Sequence, residues 1–192
     1  MHWMGSVACA GRTIQWIRDN LDLIKDAKET DALASSVADT GGVTMVPAFT
    51  GLFAPHWRPD ARAVVVGMTL FTNKAHLVRA ALESVAFSTV DVLEPMKKDP
   101  GMDLGKMHVD GGMTMNNFLM QFQSDVLGVE VLRAKMPQAT VLGAALAAGL
   151  AVGFYKEAAA AKGFLAQAGD HESFEPKMSA EDRSPPGSII AH

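Results

Sequence analysis

The sequence predicts an α/β fold, and three observations carry that prediction. Apolar residues recur at three- and four-residue steps in several stretches, the period of an amphipathic helix. Between those stretches lie short β-branched runs such as "VTMV", "AVVVG" and "VEVLR". After Lys106 the order strand, helix, strand, helix with short connections marks a layer that contains a parallel strand pair. With 192 residues, 48% of them apolar, the chain can bury a real core in one domain or the larger part of one.

Taken in order, the opening "MHWMGSVACAGRT" is small and apolar around Gly5 and Gly11, and then Ile14, Ile17, Leu21 and Ile24 mark a helix with Thr13 as its cap. Asp26 to Asp39, polar and alanine-rich, predicts a second short helix ended by Gly41 and Gly42. "VTMVPAFTGL" from Val43 reads as a strand running into a loop, and Pro47 argues that its pairing is interrupted or at an edge. "GLFAPHWRPDAR" has the composition of an ordered surface loop, and "AVVVGMTL" from Ala63 is the next strand. A helix of about 20 residues starts near Asn73 on the stripe Leu77, Val78, Ala81, Leu82, Val85, Val92 and Met96, frayed or kinked by Pro95. The loop "KDPGMDLG", the strand "KMHVDGG", a helix from Asn116 to Leu127 and the strand "VEVLR" follow.

From Ala139 to Tyr155 "ATVLGAALAAGLAVGFY" carries no charge and sets Gly149 and Gly153 at GxxxG spacing. It is short for a span, rich in alanine and glycine, and without a basic flank, so a buried helix packed through small residues is expected and a membrane segment is not. From Lys162 onward glycine, serine, proline and charge take over, and the expected division is a lobe over residues 1–178 with a disordered tail over 179–192.

The net charge is −4 and the 17 basic residues are scattered, which argues against a nucleic-acid partner. One cysteine, Cys9, permits no internal disulfide, and no leader-like opening is seen, so a reducing, cytoplasmic setting is expected. The histidines are dispersed without the i, i+4 spacing of a helical metal pair, and no residue is assigned as a metal ligand. Neither a serine nucleophile elbow nor a phosphate loop ending in Gly, Lys and Ser or Thr occurs, and no catalytic residue is assigned.

What remains is the join at Gly111 and Gly112. A strand that ends in two glycines and feeds a helix can present bare backbone N–H groups and the positive end of a helix dipole to a nucleotide phosphate or a base edge, with Asn116 beside it. The same residues equally suit a tight turn with Asn116 as a cap. Gly11 and Gln15, at the start of the first helix, are open to the same two readings.

The segments "AGRTIQWIRDNLDLI", "GGVTMVPAFTGLFAPHWRPDAR", "FTNKAHLVRAALESVAFSTVDVLEPM", "VDGGMTMNNFLMQFQSDVLGVEV" and "LGAALAAGLAVGFYKE" together resemble the C-terminal half of the glycerol kinase family, sugar kinases with the actin-like (ribonuclease H-like) ATPase fold. The resemblance implies one lobe, a mixed sheet flanked by helices and incomplete at both ends. It implies that Gly11, Gln15, Gly112 and Asn116 contact ATP, and that the family's catalytic aspartate, glycerol-binding residues and Mg²⁺ ligands belong to an upstream lobe. It further implies glycerol as substrate, a homo-oligomer when full length, and a truncated or alternatively spliced product. Met4, Leu70 and Gln138 depart from the family pattern, as does the ending "SPPGSIIAH". A non-catalytic remnant that binds nucleotide or pairs with a full-length kinase is the competing reading, and a related sugar kinase is a third.

Overall fold

A computed structural model describes residues 7, 9–97, 104–135, 139–155 and 170–183. Helix α1 spans Gly11–Asp19 and buries Thr13, Ile14 and Ile17. Thr13 lies inside the helix and does not cap it: its hydroxyl donates to the Cys9 carbonyl at 3.0 Å. The helix stops earlier than the apolar stripe, because Asp22 takes a left-handed φ of 53°. Ile24 still reaches the core from the following loop. Helix α2, Glu29–Ser35, is shorter than expected. Its start is fixed by a box in which Glu29 Oε1 accepts from the Asp26 N–H at 3.0 Å.

Strand β1, Thr44–Val46, stops before Pro47 and pairs antiparallel with β2, Val64–Val66. Between them the loop is ordered by reciprocal Leu52 and Arg58 backbone bonds, each 2.9 Å. Helix α3 spans Lys74–Lys97 and continues past Pro95 to Lys97. Asn73 accepts from the Ala75 N–H at 2.9 Å and starts it. Val78, Ala81, Leu82 and Ala86 along α3 are fully buried, making it the spine against which α1, α2, β1 and α4 pack.

The second sheet is built from β3, Lys106–Val109, β4, Glu130–Ala134, and β5, His171–Phe174, in that spatial order. β3 and β4 are parallel and β4 and β5 antiparallel, so the sheet is mixed. Helix α4, Asn117–Leu127, makes the crossover and ends at Gly128 in the left-handed conformation. Ser124 Oγ on α4 lies 2.9 and 2.8 Å from the carbonyl oxygens of Val129 and Phe174, which share its single hydroxyl hydrogen and fasten helix to sheet. β5 is a strand that the periodicity does not announce.

Helix α5, Ala139–Ala151, corrects an expectation. Among its described side chains only Leu146 is buried, while Val141 and Leu150, and Val152 and Phe154 just beyond, lie exposed. Burial needs a second surface, and among the described residues none covers most of the helix. Gly149 serves a local purpose: a Cβ there would come within 2.7 Å of the Tyr155 ring. No helix among the described residues is long and apolar enough to cross a membrane. The expected loop from Lys98 lies largely outside the described residues, as do Met4, Gln138 and the segment "SPPGSIIAH".

Candidate functional site

β3 ends at Val109, and Gly111 then takes φ 102° and ψ 172°, a conformation closed to L side chains. A 3-10 turn over Gly112–Met115 follows, closed by the Thr114 N–H and hydroxyl, which both donate to the Gly111 carbonyl. The turn is held from the sheet by Arg133 of β4. This nearly buried guanidinium donates to the Thr114 carbonyl at 2.7 Å and to Asn117 Oδ1 at 2.9 Å, pairs with Glu172 of β5, and stacks over the Phe174 ring.

The sequence leaves two readings of the join, N–H groups and a helix dipole open to a ligand or a tight turn with Asn116 as cap, and the structure shows which of these groups already have partners. The Gly111 N–H donates to Asp110 Oδ1 at 2.7 Å. At the start of α4 the Asn117 and Phe118 N–H groups donate to Asp31 Oδ2 and Oδ1 at 3.2 and 3.1 Å. A carboxylate carried in by α2 thus occupies the place offered to a phosphate. Asn116 does cap α4, its Oδ1 accepting from the Leu119 N–H at 2.7 Å, and its Nδ2 donates to Thr30 Oγ1 at 2.9 Å.

Above the turn lies a cleft of about 300 Å³. Ile14, Ala27, Met113 and Met115 give it apolar walls, Gly112 and Asn116 line one side, and Asp26, Lys28 and Asp31 stand at its polar part. A Cβ at Gly112 would meet nothing within 4 Å, and one at Gly11 would lie 3.5 Å from Met113. The structure therefore brings Gly11, Gly112 and Asn116 to one place. Gln15, exposed on α1, lines a separate depression with Arg12, Trp16, Phe49 and Thr50. With two carboxylates and one ammonium among its lining residues, the cleft suits an uncharged planar group edged with hydrogen-bonding atoms better than a polyphosphate.

Thr30, Asp31 and Arg133 escaped the sequence reading. Thr30 and Asp31 reach Asn116 and α4 across more than eighty positions, as Nδ2 of Asn116 and the hydroxyl of Thr30 are 86 residues apart. Arg133 had a signal, a charge within the β-branched run "VEVLR". Among the described residues no three His, Cys, Asp or Glu side chains converge as a metal site. None of the described residues is assigned to Mg²⁺.

Residues 1–152 match the model of the C-terminal domain of the FGGY family of carbohydrate kinases, and the chain belongs to that family. Within it the similarity is to glycerol kinases. The chain is 59% identical over 153 residues to the glycerol kinase of Pseudarthrobacter chlorophenolicus, covering 80% of this chain and 30% of that protein. It is 51% identical over 179 residues to that of Paenarthrobacter aurescens, covering 93% and 35%. The crystal structure of Plasmodium falciparum glycerol kinase with ADP aligns at TM-score 0.78 and 39% identity over 93% of this chain and 35% of that one. The chain thus spans about a third of the length of these relatives.

Proposed function

We propose that this chain is the nucleotide-binding lobe of an ATP-dependent glycerol kinase, and that the cleft beside Gly112 takes the nucleoside end of ATP. The observation that carries the reading is the uncovered Gly112 backbone facing an apolar-walled cleft with the Asn116 amide at its side. Support comes from the glycerol kinase relatives and from the solved kinase whose structure contains ADP. Gly11, where α1 meets the turn, allows the nucleotide to pass close to the backbone, and Gln15 offers an exposed amide one helical turn further on.

In the reaction, the glycerol hydroxyl displaces ADP from the γ-phosphorus of ATP, giving glycerol 3-phosphate. Little covalent work falls to a protein in such a transfer, so this lobe contributes by positioning. It binds the nucleoside, excludes water from one face of it and fixes the direction in which the phosphates leave the cleft. Mg²⁺, when bound with ATP, supplies charge neutralisation at the phosphates. Glycerol, a homo-oligomeric whole enzyme and a cytoplasmic location belong to the same proposal.

Calorimetric titration of the 192-residue chain with ADP and with adenosine tests the reading. Saturable binding of both is expected. Absence of binding by either would remove the nucleotide assignment and leave the join as a turn.

A further inference from the structure

We infer that Thr30 and Asp31 of α2 are positioning residues for nucleoside recognition, holding Asn116 and the first turn of α4 so that the cleft takes the base-and-ribose end of a nucleotide and turns phosphate away. The inference rests on the nucleotide reading above and names what sets its polarity. An asparagine amide offers an acceptor at one end and two donors at the other, so its orientation decides what a ligand meets. The Leu119 N–H can only donate, which fixes Oδ1 toward it at 2.7 Å. Thr30, 2% exposed, gives its own hydroxyl hydrogen to the Ala27 carbonyl at 2.6 Å, which leaves its oxygen as the acceptor for Asn116 Nδ2. A flipped amide would set N–H against N–H at one end and oxygen against oxygen at the other. One Nδ2 hydrogen remains uncommitted in these bonds, and Asn116 lines the cleft, so the amide presents a donor there.

Asp31 fixes the second half of the polarity. Both of its carboxylate oxygens accept N–H groups of the first turn of α4, and its residue also lines the cleft. A phosphate at this position would have to displace a tethered carboxylate or sit beside it, and like charges at contact distance repel strongly in a partly desolvated site. A neutral ring with acceptor nitrogens, or a ribose oxygen, meets neither obstacle.

The test uses the 192-residue chain with adenosine, ADP and inorganic pyrophosphate as ligands. Thr30→Val should weaken adenosine and ADP by the same factor, roughly three- to tenfold, the value of one hydrogen bond, and Thr30→Ser should restore both. In proton-exchange NMR the Asn116 side-chain amide should be protected in the unaltered chain and in Thr30→Ser, and labile in Thr30→Val. Asp31→Asn, which keeps an acceptor and removes the charge, should leave adenosine affinity within about threefold and let pyrophosphate compete for the cleft. It also provides a reading if Thr30→Val fails to fold, which circular dichroism reports. Loss of ADP affinity without loss of adenosine affinity, equal exchange of the Asn116 amide in all three chains, or competition by pyrophosphate in the unaltered chain would each overturn the inference. Failure of the unaltered chain to bind adenosine or ADP would instead overturn the nucleotide reading, and this inference with it.

Discussion

Gly111 sits at φ 102°, where any Cβ is strained, while Gly112 begins the 3-10 turn outside the left-handed region and has open space where a Cβ would point. The two glycines can therefore be separated experimentally. Gly111→Ala should cost about 1 to 2 kcal/mol of stability, read from chemical denaturation, because the backbone conformation itself is penalised. Gly112→Val should leave the thermal transition near its original place and abolish ADP binding in titration, since the branched side chain fills the cleft and strains nothing. Retained ADP affinity in Gly112→Val would show that the nucleotide does not approach this backbone. Asn116→Ala is a less specific probe than its position suggests. It removes the cap of α4 and the bond to Thr30, so a stability loss of about 0.5 to 2 kcal/mol should accompany any change in affinity.

At the scale of elements, the site is an agreement between α2, the turn and β4, and Arg133 is the tie that spans it. Arg133→Met keeps a long, unbranched side chain but removes the guanidinium, with its bonds to the Thr114 carbonyl, Asn117 and Glu172 and its stacking on Phe174. It should cost about 1 to 3 kcal/mol in urea unfolding, chiefly because a buried carbonyl loses its donor. Along α3, Glu83 pairs with Arg79 at 2.8 Å, yet burial pushes its carboxyl above the ordinary 4.5, outweighing the pull of the guanidinium. A carboxyl raised in the folded state holds its proton more tightly there than in the unfolded chain. Its contribution to stability is thus greatest below pH 4.5 and declines as pH rises through the folded value. Glu83→Gln should flatten that decline in urea melts measured across the acidic range; an unchanged slope would show that Glu83 does not set it.

Helices α1, α3 and α4 were legible because a 3.6-residue stripe is local information, and β1 to β4 because β-branched runs between turn signals are local too. β5 was not. Its four residues "HESF" become a strand only by pairing with Val131 to Ala134, some forty positions earlier in the chain. Of the site, the glycine join and Asn116 could be found from sequence. The filling of the α4 N-terminus by Asp31 could not, because its carboxylate meets N–H groups that only the packing of α2 on α4 brings near. The apolar character of α5 was equally plain, but hydropathy states what a helix would bury and not what covers it.

At the scale of the whole molecule, most of the exposed large apolar side chains among the described residues fall in two stretches. One is α5 with its exit, where Val141, Leu150, Val152 and Phe154 are exposed. The other runs from β2 into the following turn through Val64, Val66, Met68, Leu70 and Phe71, where Leu70 stands at a position the family resemblance gives to arginine. Because the chain spans about a third of the glycerol kinases it resembles, and the resemblance places the base and Mg²⁺ ligands in the upstream lobe, the 192-residue chain should show no glycerol-dependent ADP release in a coupled assay. Turnover anywhere near the roughly 1 to 100 s⁻¹ of ordinary kinases would contradict that. The exposed surfaces set its solution behaviour. Exposed apolar side chains and the strand edges left open among the described residues favour contact between copies, so the chain should elute in size-exclusion chromatography as a concentration-dependent mixture. Paired substitutions Leu70→Arg and Phe154→Ser, at side chains already in water, should shift that mixture toward monomer without lowering the thermal transition. A monodisperse monomer from the unaltered chain would mean that these surfaces are too small or too scattered to drive association. If the paired substitutions left the mixture unchanged, the contact would have to lie elsewhere.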